Sequence, residues 1–129
     1  MLHRIAAEMD REIVLVAGVF SSDPARSRAG GEAYGLDPAR AYGSLAEMLA
    51  AETVRPDGAQ FVAVVTPNHD HLPSAKAALA AGLPVISDKP MTATLEEARE
   101  LAAAVESSGL PFALTYTYSG YPLVREARA

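Results

Sequence analysis

The chain has 129 residues, a length that suits one domain, and half of it is hydrophobic, which is enough apolar material for a packed core. It has no cysteine, so disulfides, thiolate zinc sites, iron–sulfur clusters and cysteine nucleophiles are excluded. Its net charge of -5 sets 16 acids against 11 scattered Lys and Arg, so no nucleic-acid partner is expected, and the lack of a long apolar run or a signal peptide points to a cytoplasmic protein without a membrane partner.

Periodicity alternates between strand-like and helix-like blocks. Residues 2–10 read as the tail of a helix. The near-continuous apolar run over 12–20 (Ile13, Val14, Leu15, Val16, Val19, Phe20) predicts a strand buried on both faces. Asp23-Pro24 opens a helix, Asp as N-cap and Pro at the first helical position, and Gly35 is a plausible stop after Tyr34. Ala41-Tyr42-Gly43 is a candidate short strand, and Ser44 with Glu47 forms a capping box for a helix to about Ala51. A loop follows over 52–59.

The run Phe61–Val65 predicts a second buried strand that stops at Thr66-Pro67-Asn68. A helix over 71–81 follows, with Leu72, Ala75 and Leu79 on one face. Val85-Ile86 centre a third strand ending at Asp88-Lys89-Pro90. Thr94 and Glu97 cap a helix whose stripe is Leu95, Ala98, Leu101, Ala102 and Val105. Residues 112–116 are a last strand, and residues 122–129 begin one more helix.

Strands alternating with helices indicate an α/β fold of parallel βαβ units, in which ligands bind at the carboxyl ends of the strands. The residues to inspect are therefore Ser21-Ser22, Thr66-Pro67-Asn68, Asp88-Lys89-Pro90 and the tyrosines Tyr116, Tyr118 and Tyr121. Lys89 stands where apolar walls would tune an ammonium group, and from there it can orient a hydroxyl and shuttle its proton. A solvated loop lysine is the bland alternative. Thr66-Pro67-Asn68 precedes a helix N-terminus, which favours phosphate or a polar cofactor edge, or it is simply a strand-stop and cap. His69-Asp70-His71 does not put two histidines on one helix face and offers no third ligand, so no metal is expected. Ser21, Ser22 and Arg26 hold the place where dinucleotide folds read the adenosine ribose. Small hydroxyls beside an Arg lean slightly to NADP, while Asp23 has a full explanation as a cap. The tyrosines wall a pocket or pack against further structure.

Together these residues resemble the glucose–fructose oxidoreductase / inositol dehydrogenase / MocA family. The block from Val65-Thr-Pro-Asn-His-Asp-His71 through Ala75, Ala78-Leu79, Gly82 and Val85 to Asp88-Lys89-Pro90 carries the match, with Asp88 where the family has Glu. The resemblance implies a Rossmann-like doubly wound parallel sheet that binds NAD or NADP. It implies an oxidoreductase moving hydride between the nicotinamide and a sugar, polyol or related hydroxyl compound. Lys89 would be the catalytic lysine beside nicotinamide and substrate, and Asp88 would hold the nicotinamide ribose. Thr66, Pro67, Asn68 and His71 would line the cofactor turn, with Ser21, Ser22 and Arg26 near the adenosine ribose.

Against that family the chain lacks the first strand and its Gly-rich turn, and it stops where a second, sheet-rich domain would begin. Residues 1–121 are then a partial NAD(P)-binding domain and residues 122–129 the start of a connection, with weak cofactor affinity and no turnover expected of the chain alone. A homo-oligomer, if formed, would use the exposed strand edges. Two other readings stay open: a non-catalytic Rossmann-like module that binds a nucleotide or a partner, and a purely structural flavodoxin-like domain.

Overall fold

The structure is a computed structural model that describes residues 2–128. The chain divides between Ala59 and Gln60 into two compact units.

The first unit begins with α1 (Leu2–Glu8). The strand predicted over 12–20 does not form. Only Gly18 pairs, in an isolated parallel bridge to Ala41. Its N–H donates to Arg40 O at 3.1 Å and its carbonyl accepts from Tyr42 N at 3.0 Å. A parallel strand exists only where another backbone runs alongside it, and here that happens at one residue. Burial on both faces fails with it, since Val14 is 72% exposed. The predicted strand at 41–43 shrinks to the same bridge.

The helices fare better. In α2 (Pro24–Ala33) the Asp23 carboxylate accepts from Arg26 N at 2.8 Å, Pro24 leads, and Gly35 follows at φ 72°, a value that suits glycine. A short 3₁₀ turn, Pro38–Arg40, is capped by Asp37. In α3 (Leu45–Glu52) Ser44 caps Glu47 N as expected, but the Glu47 carboxylate reaches back to Gly43 N, one residue ahead of a reciprocal box.

Met48 and Leu49 of α3 are buried, and so is an ion pair. Arg40 donates to both oxygens of Glu52, Tyr42 donates its hydroxyl to Glu52 Oε1 at 2.9 Å, and Ala59 N–H donates to Glu52 Oε2 at 3.0 Å. Burial pushes the Glu52 carboxyl up, but these donors outweigh it and hold the group below its ordinary value. Burial first, then the bond to Glu52, raises the Tyr42 phenol. Gly58 lies so close that a Cβ there would sit 2.0 Å from the Glu52 carbonyl oxygen.

The second unit is a three-stranded parallel sheet in the order β1 (Val62–Val64), β2 (Val85–Ser87), β3 (Phe112–Leu114). Val62, Val85 and Phe112 stand in one row, and Val64, Ser87 and Leu114 in another. Pro84 and Pro111 directly precede β2 and β3. Their carbonyls accept from Val62 N and Val85 N, so the ladder never needs the proline N–H.

The helices are α4 (His71–Ala80), α5 (Leu95–Ser108) and α6 (Pro122–Glu126). Ala75 and Ala78 are fully buried, and their small side chains let α4 pack against β1, β2 and α5. Leu72, placed on that face by the sequence, is only half-buried; His71 and Ser74 take the inward positions instead. On α5 the complete Thr94–Glu97 capping box forms, but the predicted stripe narrows. Leu101 is fully buried while Leu95 and Ala102 are exposed, so the helix meets its neighbour along a thin seam. β1 is not buried on both faces either, because Ala63 is exposed between buried Val62 and Val64. No helix among the described residues is long and apolar enough to cross a membrane.

Candidate cofactor-binding site

The three parallel strands of the second unit end side by side. Asp88 N donates to Val64 O and Thr115 N donates to Ser87 O, each at 2.9 Å, so the backbone just past β2 is pinned to β1 and that past β3 is pinned to β2. Beyond β1 come Thr66 and Pro67, then a 3₁₀ turn, Asn68–Asp70, that leads into α4. Beyond β2 comes Asp88-Lys89-Pro90, with a cis Lys89–Pro90 peptide.

His71 ties these two segments together. Its ring is 1% exposed, with Nε2 2.8 Å from Thr66 O and Nδ1 2.6 Å from Pro90 O. Both partners are backbone carbonyl oxygens, which only accept, so a ring nitrogen that carries hydrogen donates to the carbonyl it faces. With both nitrogens committed to backbone, His71 supports the turn from within. Among the described residues no three His, Asp or Glu side chains are grouped to hold a metal ion.

Asp88 is anchored as well. Its Oδ1 accepts from Lys89 N and from the Thr115 hydroxyl, both at 2.8 Å. Thr115 did not stand out in the sequence. Its only signal was a hydroxyl in the last turn of a strand end already marked as ligand-facing. The accessible polar groups here are the Thr66 hydroxyl, the Asn68 amide and the Lys89 ammonium, all on exposed residues. Among the described residues Lys89, the second residue past β2, is exposed and not enclosed by the apolar walls expected around it. Tyr116, Tyr118 and Tyr121 are exposed, the last two edge to face at 5.6 Å.

In the first unit Ser21, Ser22 and Arg26 surround the start of α2. The Ser21 hydroxyl accepts from Asp23 N at 3.2 Å, Asp23 caps Arg26 N, and Ser22 and Arg26 are exposed. Ser27, which the sequence reading passed over, is fully buried. Its hydroxyl accepts from Phe20 N at 2.9 Å and donates to Tyr42 O at 2.6 Å, which fixes the approach to Ser21. Each unit thus prepares its own group of candidate residues.

The donor set of the second unit fits the polar half of a dinucleotide: a neutral amide, hydroxyls, a cation and an anchored carboxylate at parallel strand ends. Comparisons with known proteins point the same way. The model of an oxidoreductase family with an NAD-binding Rossmann fold matches residues 2–116. An uncharacterized oxidoreductase, YfiI, of Bacillus subtilis (strain 168) is 38% identical over 128 residues, 98% of this chain and 33% of that protein. The crystal structure of an oxidoreductase from Sinorhizobium meliloti superposes with a TM-score of 0.93 at 47% identity, covering 98% of this chain and 36% of that one. An inositol dehydrogenase homolog from Azotobacter vinelandii, complexed with NADH and myo-inositol, gives a TM-score of 0.91 at 42% identity over 98% of this chain and 34% of that one. The chain thus spans about a third of the length of these relatives. With the family model matched over residues 2–116 and the fold shared with these relatives, the chain belongs to the Gfo/Idh/MocA oxidoreductase family, within its NAD-binding Rossmann domain.

Proposed function

We propose that this chain binds the nicotinamide half of NAD or NADP through the strand ends of its second unit, as part of an oxidoreductase acting on a sugar, polyol or related hydroxyl compound. The observation that carries the reading is the His71 tie, which holds the turn of Thr66, Pro67 and Asn68 beside the loop of Asp88 and Lys89. The presence of NADH and myo-inositol in the Azotobacter vinelandii homolog supports the cofactor and the substrate class.

The cofactor, when bound, supplies hydride acceptance and donation. In this reading Asn68 and Thr66 orient its polar edge, and Asp88 accepts hydrogen bonds from the ribose. Lys89 directs a substrate hydroxyl and holds or moves its proton at Nζ. Ser21, Ser22 and Arg26 serve the adenosine ribose, and exposed Arg26 would accept the extra phosphate of NADP. Residues 1–121 act as the cofactor-binding part and residues 122–129 lead to a substrate-binding part, in a cytoplasmic protein.

The test is a heteronuclear NMR titration of the ¹⁵N-labelled chain with NADH and with NADPH. The reading expects saturable shifts at the amides of Thr66, Asn68 and Lys89, and loss of most of that response in Lys89→Ala and Asn68→Ala. A folded chain with no shifts at millimolar cofactor would overturn it.

A further inference from the structure

Thr115 lies at the end of β3, and its hydroxyl is 2.8 Å from Asp88 Oδ1. The same oxygen accepts from Lys89 N. The Asp88 backbone is fixed separately, by its N–H on Val64 O, and the Thr115 backbone by its N–H on Ser87 O. Both ends of the hydroxyl–carboxylate contact are therefore held by backbone hydrogen bonds to the neighbouring strand. A carboxylate on a single methylene has two torsions, and two donors converging on one oxygen settle both. The contact is partly buried, where a hydrogen bond to a charged acceptor is stronger than at the surface.

We infer that Thr115 is a positioning residue for the nicotinamide-ribose end of the cofactor site: its hydroxyl aims the Asp88 carboxylate and, through the Lys89 N–H on the same oxygen, sets the turn that carries the Lys89 side chain. The inference rests on the reading given under Proposed function. It adds the residue just past β3 to a site otherwise built from the segments past β1 and β2. Thr115 itself does not touch the ligand.

The experiment compares wild type, Thr115→Val and Thr115→Ser by NMR titration with NADH and with ADP, which lacks the nicotinamide ribose. Val keeps the shape and strand preference of Thr and removes the hydroxyl. Thr115→Val is expected to weaken NADH binding about 5- to 10-fold, the loss typical of one hydrogen bond, and to leave ADP binding unchanged. It is also expected to shift the Lys89 amide proton upfield in the free protein. Thr115→Ser is expected to restore both. Equal loss of NADH and ADP binding, or unchanged NADH binding by Thr115→Val, overturns the inference alone. If Thr115→Val does not fold, the decision passes to Thr115→Ala, where weakened NADH binding without altered ADP binding supports the inference and wild-type NADH binding with an unmoved Lys89 amide overturns it. A wild-type chain that binds no NADH overturns the cofactor reading itself, and the inference with it.

Discussion

The imidazole of His71 spans the gap between Thr66 O and Pro90 O, at 2.8 and 2.6 Å, and so binds two segments nineteen and five residues away in the chain. One buried side chain thereby sets the distance between the turn after β1 and the loop after β2. Replacing it with Ala would leave the Thr66 and Pro90 carbonyls without the ring between them and open a cavity at the start of α4. His71→Ala should lower stability by about 2–4 kcal/mol, read as a shift of the urea midpoint at unchanged slope.

Lys89 should behave in the opposite way. It is exposed and its side chain makes no hydrogen bond or ion pair among the described residues. Lys89→Ala should change stability by less than about 0.5 kcal/mol while reducing cofactor response in the titration. A large loss of stability would mean that the lysine is structural.

The Arg40–Glu52–Tyr42 cluster predicts a stability profile with two edges. Glu52 is held below its ordinary value of 4.5, so its contribution is complete above that value and is lost as pH falls through its lower folded value. Tyr42 is held above its ordinary value of 10.0, so stability also falls as pH rises past 10, where only the unfolded chain ionises freely. The amides of α3 and of Thr53, its C-cap, report the same transition by NMR. Glu52→Ala leaves Arg40, whose side chain is only 10% exposed, with Asp57 as its remaining partner, and should cost about 3 kcal/mol. Tyr42→Phe should remove the alkaline edge and leave the acid one, as measured by urea unfolding across pH.

Gly58 is a separate test of the same region. A methyl group there would meet the Glu52 carbonyl oxygen at 2.0 Å, so the backbone must move and the Ala59 N–H must leave the Glu52 carboxylate. Gly58→Ala should destabilise by at least about 2 kcal/mol in thermal or urea unfolding.

What the sequence made legible was what local chemistry decides. Asp23, Ser44 and Thr94 cap α2, α3 and α5, Gly35 takes a positive φ after α2, and the three strands of the second unit fall within one or two residues of the predicted runs. The block Thr66 to Pro90 was recognisable because its residue types and spacing recur as a family pattern, and the His71 ring joins its first and last residues. Pairing was not legible. The run at 12–20 has strand composition, but composition does not supply a neighbouring backbone. The roles of Thr115 and Ser27 were hidden for a related reason, since a hydroxyl acquires its meaning from partners 27 and 15 residues away.

The unpaired run at 12–17 has a kinetic consequence. Among the described residues no hydrogen bond reaches its backbone N–H groups, whereas Gly18 and the strands of the second unit are held by theirs. Amide protons in this run should exchange with deuterated solvent within seconds, while those of Val85 and Asp88 persist until the sheet itself opens. The most apolar stretch of the first unit would then be its least protected, and the first place a protease could hold the chain open.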